Sequence, residues 1–90
     1  MEQQSIVDQV TDLAASSLTL ALELRETDRH RAVNATAAGK LYITLADILK
    51  TGTPRRRIVA PALRTADMHN AQAGVEPCAE LVLALLYGQD

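Results

Sequence analysis

Alanine and leucine supply most of the apolar side chains of this chain, which restricts what it can fold into. There are 15 Ala and 13 Leu among 90 residues, whereas Tyr42 and Tyr87 are the only aromatic residues. Ala and Leu are strong helix formers, while strands are usually rich in Val, Ile, Thr and aromatic residues. The composition therefore predicts an all-α fold, and the length fits one domain, residues 1–90.

The same composition predicts a thin hydrophobic core. Alanine buries little surface, and burial contributes only about 25 cal/mol per Å². A small domain of this kind usually needs close helix packing or association with another chain. Cys78 is the only cysteine, so an intrachain disulfide cannot add stability. We expect its thiol to be a small buried apolar group.

Apolar residues recur at helical spacing and predict a small bundle of about four helices. The predicted spans are 5–26, 28–50, 54–73 and 76–87. Ser5 is the expected N-cap of the first helix, and Thr27 or Asp28 that of the second. The alternative is one continuous helix through the first two spans.

The third span contains a proline that a helix interior tolerates poorly. Thr53 and Pro54 read as its N-cap and first helical position. Pro61 predicts a short turn over 54–59 followed by a new helix, or else a single kinked helix. Gly74 is the expected stop signal.

The first and last helices carry more apolar surface than a small bundle can hide. Leu18 and Leu22 widen the stripe of the first helix beyond half of its circumference, and only Glu80 interrupts the apolar surface of the last. A helix that is apolar all round is buried all round. We therefore expect a homodimer or a higher oligomer, with an interface formed by Leu18, Leu22, Leu83, Leu86 and Tyr87.

The second helix has a face of small side chains around Gly39. A glycine inside a helix costs roughly 1 kcal/mol relative to alanine. Close approach of a neighbouring helix would explain its presence.

Charge is segregated along the sequence. Residues 1–28 carry a net charge of −5, residues 29–64 of +7, and residues 65–90 of −4. The cationic middle segment predicts either pairing with the acidic first helix or recognition of an anionic partner.

Three consecutive arginines are the sharpest charged feature. A cap at Thr53 would place them in the first turn of a helix, where each cation opposes the helix dipole by about 0.3–1 kcal/mol. We interpret them as the contact segment for an anionic group, extended by flanking arginines; the set is Arg55, Arg56, Arg57, Arg64, Arg29 and Arg31. The alternative is that they are solvated, or pair with carboxylates of the same chain.

Two pairs of polar residues fall on or near predicted apolar faces. His30 and Asn34 lie one turn apart on the second helix, and His69 and Asn70 follow each other on the third. Since buried polar groups need partners, they predict a shared polar pocket, with ordinary satisfied side chains as the alternative. Two histidines without a cysteine cluster fall short of a usual metal site, so no metal is expected.

Catalytic patterns are missing from the sequence. There is no Gly-rich phosphate loop, and no nucleophile lies beside a base, so we expect a protein that is not an enzyme and needs no cofactor. The longest apolar run, residues 81–87, is far shorter than the roughly 20 residues of a membrane helix. The first residues do not resemble a signal peptide, so a cytoplasmic location is the default expectation.

The leading functional hypothesis is a helical protein-interaction module: an oligomeric adaptor, inhibitor or regulatory subunit whose partner has an acidic surface. One alternative is a nucleic-acid-binding regulator with the same arginines on phosphates. The negative net charge and the lack of nearby aromatic residues disfavour it. Another alternative is a binder of a small anionic ligand, such as a nucleotide, at a subunit interface.

Overall fold

A computed structural model describes residues 2–88 of the chain, with side chains from residue 6 onward. Within that part it contains four helices and no strand. They are α1 (Glu2–Leu24), α2 (Arg29–Leu49), α3 (Arg56–Gln72) and α4 (Ala79–Tyr87). This arrangement confirms the small all-α bundle.

The first two helices form an antiparallel hairpin. Because α1 begins at Glu2, Ser5 lies inside the helix and is not its N-cap; the side chain of Ser5 lies outside the described residues. The predicted break after α1 is confirmed, since the Asp28 carboxylate accepts a hydrogen bond from the Arg31 backbone N–H at 3.2 Å. Such a cap satisfies a donor that the first turn of a helix leaves without an acceptor.

The third helix differs from the prediction at its start and at Pro61. Its N-cap is Arg55, in an extended conformation and without a side-chain cap, so Thr53 does not cap it. Pro61 lies inside one helix, so the alternative of a single helix applies and not the expected break into a turn and a new helix. Pro61 and Arg57 are both exposed, so water can hydrate the Arg57 carbonyl group, which loses its usual donor.

The end of α3 follows the prediction. Gly74 adopts a left-handed conformation (φ +85°), which suits a residue without a Cβ. The Val75 N–H donates to the Asn70 carbonyl at 2.8 Å and the Gly74 N–H to the Ala71 carbonyl at 3.1 Å. This pair of bonds is a Schellman motif and satisfies two of the last helical carbonyl groups.

The main core lies where the first half of α1, the second half of α2, α3 and α4 meet. Its largest fully buried side chains are those of Tyr42, Leu49, Leu63, Leu83 and Val10. In a smaller cluster near the α1–α2 turn, the buried residues are all alanines, at positions 21, 35 and 73, and the partly buried Leu20 and Val75 pack against them. The core is therefore as thin as the composition predicts.

Gly39 of α2 packs directly against Leu18 of α1. A Cβ at this position would lie 2.7 Å from Leu18 Cδ2 and 3.5 Å from the carbonyl oxygen of Ala14. Leu18 therefore occupies the space that any larger residue at position 39 would need. Close helix packing is thus the reason for the glycine.

Within the single chain, α4 is buried on one side only. Leu83 is 1% exposed and belongs to the core, whereas Leu81 and Leu85 are 64% and 44% exposed. Leu83 has no surface left for a second chain, which corrects its place in the predicted oligomer interface. Leu86 and Tyr87 are half-buried against the core.

Candidate functional site

An open groove of about 710 Å³ follows the junction of the second half of α1 with the first half of α2. We call the residues that line it the seam: Leu18, Ala21, Leu22, Arg25, Arg29, Ala32, Val33, Thr36, Ala37 and Lys40. Leu22 and Val33 protrude from the two helices and are 65% and 61% exposed. The seam is therefore an apolar surface that the fold leaves in contact with water.

The small residues of α2 explain why the groove exists. They allow α2 to approach α1, but they are too short to fill the outer side of the junction. The third helix covers a different side of α2, where Arg31 and Asn34 contact it. At about 100° per residue, these two positions point well away from Val33 and Lys40. No element of the described chain covers the seam.

Three cationic side chains border the seam. Arg25 lies at the end of α1, Arg29 starts α2, and Lys40 follows about three turns later. The contact of Arg25 with Glu26, at 3.9 Å, joins two exposed side chains and contributes little. Arg29 and Lys40 form no ion pair within residues 6–88.

The same junction continues toward the other end of the hairpin. A smaller groove of about 180 Å³ lies there, lined by Thr11, Ala14, Ile43, Ala46, Asp47 and Lys50. Ile43 is 42% exposed. From Thr11 to Arg25 the junction spans about 21 Å at 1.5 Å per helical residue, enough for a docked helix of four turns.

The arginine segment Arg55–Arg57 lies at the exposed start of α3. Its three side chains form no ion pair with a carboxylate in the described part of the chain. The Tyr87 hydroxyl donates to the carbonyl oxygen of Pro54 at 2.6 Å, which brings the end of α4 beside this segment. Burial raises the pKa of Tyr87, and the charge of Arg56 opposes that shift.

The other predicted contact arginines lie in three different places. Arg64 pairs with Glu80 at 3.1 Å on the surface between α3 and α4. Arg29 borders the seam. Arg31 donates from Nη2 and Nε to the carbonyl oxygen of Ala73, at 2.8 and 3.2 Å. Arg31 therefore holds the end of α3 and has a structural role, which corrects its assignment to the contact surface.

Three of the four predicted pocket residues come together. The side-chain amide nitrogen of Asn34 donates to the His30 carbonyl oxygen at 3.0 Å. The side-chain oxygen of Asn34 therefore faces His69 and accepts a hydrogen bond from its Nδ1–H at 2.8 Å. Asn70 points instead into the core. Among the described residues, no three His, Cys, Asp or Glu side chains are grouped so that they could hold a metal ion.

Asn70 belongs to a chain of hydrogen-bonded groups, buried except at Cys78, that links all four helices. The Ser17 hydroxyl donates to its amide oxygen at 3.4 Å, and its amide nitrogen donates to the Tyr42 hydroxyl at 3.1 Å. That hydroxyl lies 3.3 Å from Sγ of Cys78, the N-cap residue of α4. Two sequence signals pointed toward this network: Asn70 near the apolar face of the third helix, and Ser17 within the apolar stripe of α1.

The thiol of Cys78 is a weaker acid than an ordinary cysteine thiol. Burial raises its pKa, and the hydrogen bond with Tyr42 opposes that shift only in part. Burial, followed by the hydrogen bond with Cys78, raises the pKa of Tyr42. Both groups are therefore protonated at neutral pH, and a thiol reacts through its thiolate form.

The chain matches no protein-family model, and comparisons with curated proteins and with solved structures give no match either. No helix within residues 2–88 combines the length and apolar character needed to cross a membrane.

Proposed function

We propose that this chain is a non-enzymatic helical protein-interaction module that acts by occupying the surface of a partner, as an adaptor, inhibitor or regulatory subunit. The observation that carries the proposal is the open apolar seam. Leu22 and Val33 are about two-thirds exposed side by side, in a chain whose core is thin. Exposed apolar patches bordered by polar residues are typical of interaction sites.

The shape of the seam favours a protein segment over a small ligand. Small-molecule sites usually bury most of the ligand surface in a concave pocket. The walls of this groove are themselves largely exposed, and the junction continues past Ile43 as a second groove. A long partner element can use this whole length, whereas a small molecule cannot.

Partner capture with matched variants tests the proposal. The seam variant is Leu22→Ser with Val33→Ser, and the control is Ile48→Ser with Met68→Ser, two exposed apolar residues elsewhere. A protein captured by the unaltered chain is purified and titrated against all three forms. We expect the seam variant to bind at least about tenfold more weakly and the control to bind normally. Normal binding by the seam variant would exclude this surface.

We also propose that the chain self-associates through the outward face of α4. Leu81 and Leu85 lie one turn apart and are exposed on an otherwise apolar helix. Light scattering at micromolar concentration is expected to give at least twice the monomer mass of 9.7 kDa. Leu81→Ser with Leu85→Ser should return the monomer mass. A monomeric unaltered chain would contradict self-association.

The second candidate function is nucleic-acid binding through Arg55–Arg57. The supporting observation is that three adjacent cations at the start of α3 have no carboxylate partner in the described chain. Phosphate contacts of this kind predict binding that weakens steeply with salt. No mobility shift with DNA or RNA at low salt would remove this candidate.

A further inference from the structure

We infer that the segment that binds the seam is an acidic amphipathic helix of another protein, which lies along the groove between α1 and α2 as an additional helix of the bundle. This inference rests on the proposed function and names the chemistry of the partner. It follows from the charges of the seam, its geometry, and its poor fit to a second copy of itself.

The cationic borders of the seam favour acidic side chains on both sides of the apolar stripe of the partner helix. Arg25 borders the groove on the α1 side, and Arg29 and Lys40 border it on the α2 side. No carboxylate is among the residues that line this groove. A helix with an apolar stripe between acidic flanks is therefore complementary to it, and complementary charges set specificity and association rate.

The geometry of the seam sets the spacing of the partner residues. Lys40 lies beside Gly39, which contacts Leu18, and Leu18 precedes Arg25 by seven residues or about 10 Å. Acidic residues two turns apart on the partner can therefore meet both ends. Apolar residues of the intervening turn then contact Leu22 and Val33, as in other helix-in-groove complexes.

A second copy of the chain fits the same face poorly. A two-fold contact through the seam would place its three cations in one interface with three identical cations. The continuation of the junction offers only one carboxylate among its lining residues, Asp47, which already pairs with Lys50 at 3.5 Å. Self-association through this surface is therefore disfavoured by repulsion.

Selection from displayed helical peptides tests the inference. The library holds 16-residue peptides with a fixed apolar stripe at helical spacing and Glu, Lys, Gln or Ala at each flanking position. The full chain serves as the target. We expect enrichment of Glu at flanking positions seven residues apart. Enrichment of Lys, absence of a charge preference, or failure to enrich any peptide would overturn the inference.

Two charge-reversed variants form a matched pair. The charge-reversed seam variant replaces Arg25, Arg29 and Lys40 with Glu. The charge-reversed control replaces Arg55–Arg57 with Glu, so both change the net charge equally. In fluorescence anisotropy, a selected acidic peptide should bind the charge-reversed seam variant at least about 30-fold more weakly than the unaltered chain, and the charge-reversed control within about twofold. Equal weakening of both would indicate a general charge effect and overturn the inference.

Two further measurements keep the test decisive. If circular dichroism shows that the charge-reversed seam variant has lost helicity, a variant with Gln in place of Arg25, Arg29 and Lys40 replaces it. We expect that variant to bind the peptide about fivefold more weakly than the unaltered chain does. Sedimentation of the unaltered chain addresses the competing occupant. A dimer that dissociates on Leu22→Ser with Val33→Ser would place a second copy in the seam and overturn the inference.

The outcomes separate this inference from the proposed function. If no acidic helix is selected but Leu22→Ser with Val33→Ser still abolishes binding of the captured partner, the proposed function stands and the inference fails. If that variant keeps its partner, the proposed function itself fails at this surface.

Discussion

Asp67 of α3 accepts a hydrogen bond from the backbone N–H of Cys78 at 2.9 Å, and so caps a helix to which it does not belong. Its second carboxylate oxygen accepts from the Ala79 N–H at 3.0 Å. The first turn of a helix leaves such donors without an internal acceptor, and negative charge is favourable there. The start of α4 is thus fixed by a residue eleven positions earlier.

Removal of this cap should destabilise the fold. Asp67→Ala is expected to lower the free energy of unfolding by about 2 kcal/mol, because two backbone donors lose a charged acceptor. Asp67→Asn should cost less, since an amide oxygen can still accept. Asp47→Ala, at an exposed position of α2, should stay within about 0.5 kcal/mol. Urea unfolding at pH 7 measures all three, and equal effects of Asp67→Ala and Asp47→Ala would contradict the capping role.

The buried hydroxyl of Tyr42 makes a second prediction. Tyr42→Phe leaves the amide of Asn70 and the thiol of Cys78 without their shared partner, so we expect a loss of about 1–3 kcal/mol. Tyr87→Phe removes one half-buried hydrogen bond and should cost less. Thermal or urea unfolding compares the two. A larger effect of Tyr87→Phe would show that the network contributes little.

Stability is expected to fall at alkaline pH. Burial raises the pKa of Cys78 and Tyr42 above their ordinary values of 9.0 and 10.0, so the unfolded chain loses these protons first. The contribution of protonated Cys78 and Tyr42 to the free energy of unfolding is complete below pH 9. It is lost as the pH rises toward the pKa values of these groups in the folded chain. Each group adds a slope of at most about 1.4 kcal/mol per pH unit. Urea unfolding from pH 7 to 11 should give a flatter profile for Tyr42→Phe with Cys78→Ala; parallel profiles would refute this.

The contact of Gly39 with Leu18 predicts a coupled pair. Gly39→Ala gains about 1 kcal/mol of helix propensity but forces Leu18 out of its position, and we expect a net loss of about 1–2 kcal/mol. In the Leu18→Ala background the added methyl group has room, so Gly39→Ala should be neutral or stabilising there. A double-mutant cycle in urea measures the coupling. Additive effects would mean that the two residues do not compete for space.

Substitution of Arg31 should lower the stability of the fold, whereas substitution of Arg29 should weaken binding of a partner peptide. Arg31→Met removes both hydrogen bonds to the Ala73 carbonyl, and we expect it to cost about 1–3 kcal/mol. Arg29→Met should leave stability within about 0.5 kcal/mol, because Arg29 forms no ion pair in the described chain. It should instead weaken binding of an acidic peptide. Equal stabilities of the two variants would contradict the structural role of Arg31.

Much of the fold could be predicted from the sequence because its signals are local. The break between α1 and α2 depends on the N-cap at Asp28. The end of α3 depends on the left-handed backbone of Gly74. Both are determined by residues that are close in sequence. The close packing at Gly39 could also be inferred, since a helical glycine has a cost that packing must offset. The apolar excess of α1 correctly indicated a surface beyond the core, although its extent was not apparent.

The remaining features depend on contacts distant in sequence. The cap of α4 comes from Asp67, the partner of Arg31 is a carbonyl group at the end of α3, and Leu83 is buried by residues of other helices. The sequence left open whether Pro61 divides the third helix or lies within it, and the structure shows one helix with Pro61 inside. No one-dimensional pattern states which side of a helix its neighbours will cover.

The hydrogen-bonded chain from Ser17 through Asn70 and Tyr42 to Cys78 joins all four helices, and the seam lies outside it. No helix can therefore separate without breaking a hydrogen bond of this network, and amide hydrogen exchange should report one cooperative unit. The exposed seam residues Leu22 and Val33 take no part in these hydrogen bonds. The outer face of the hairpin can therefore change during evolution while the architecture of the bundle is retained.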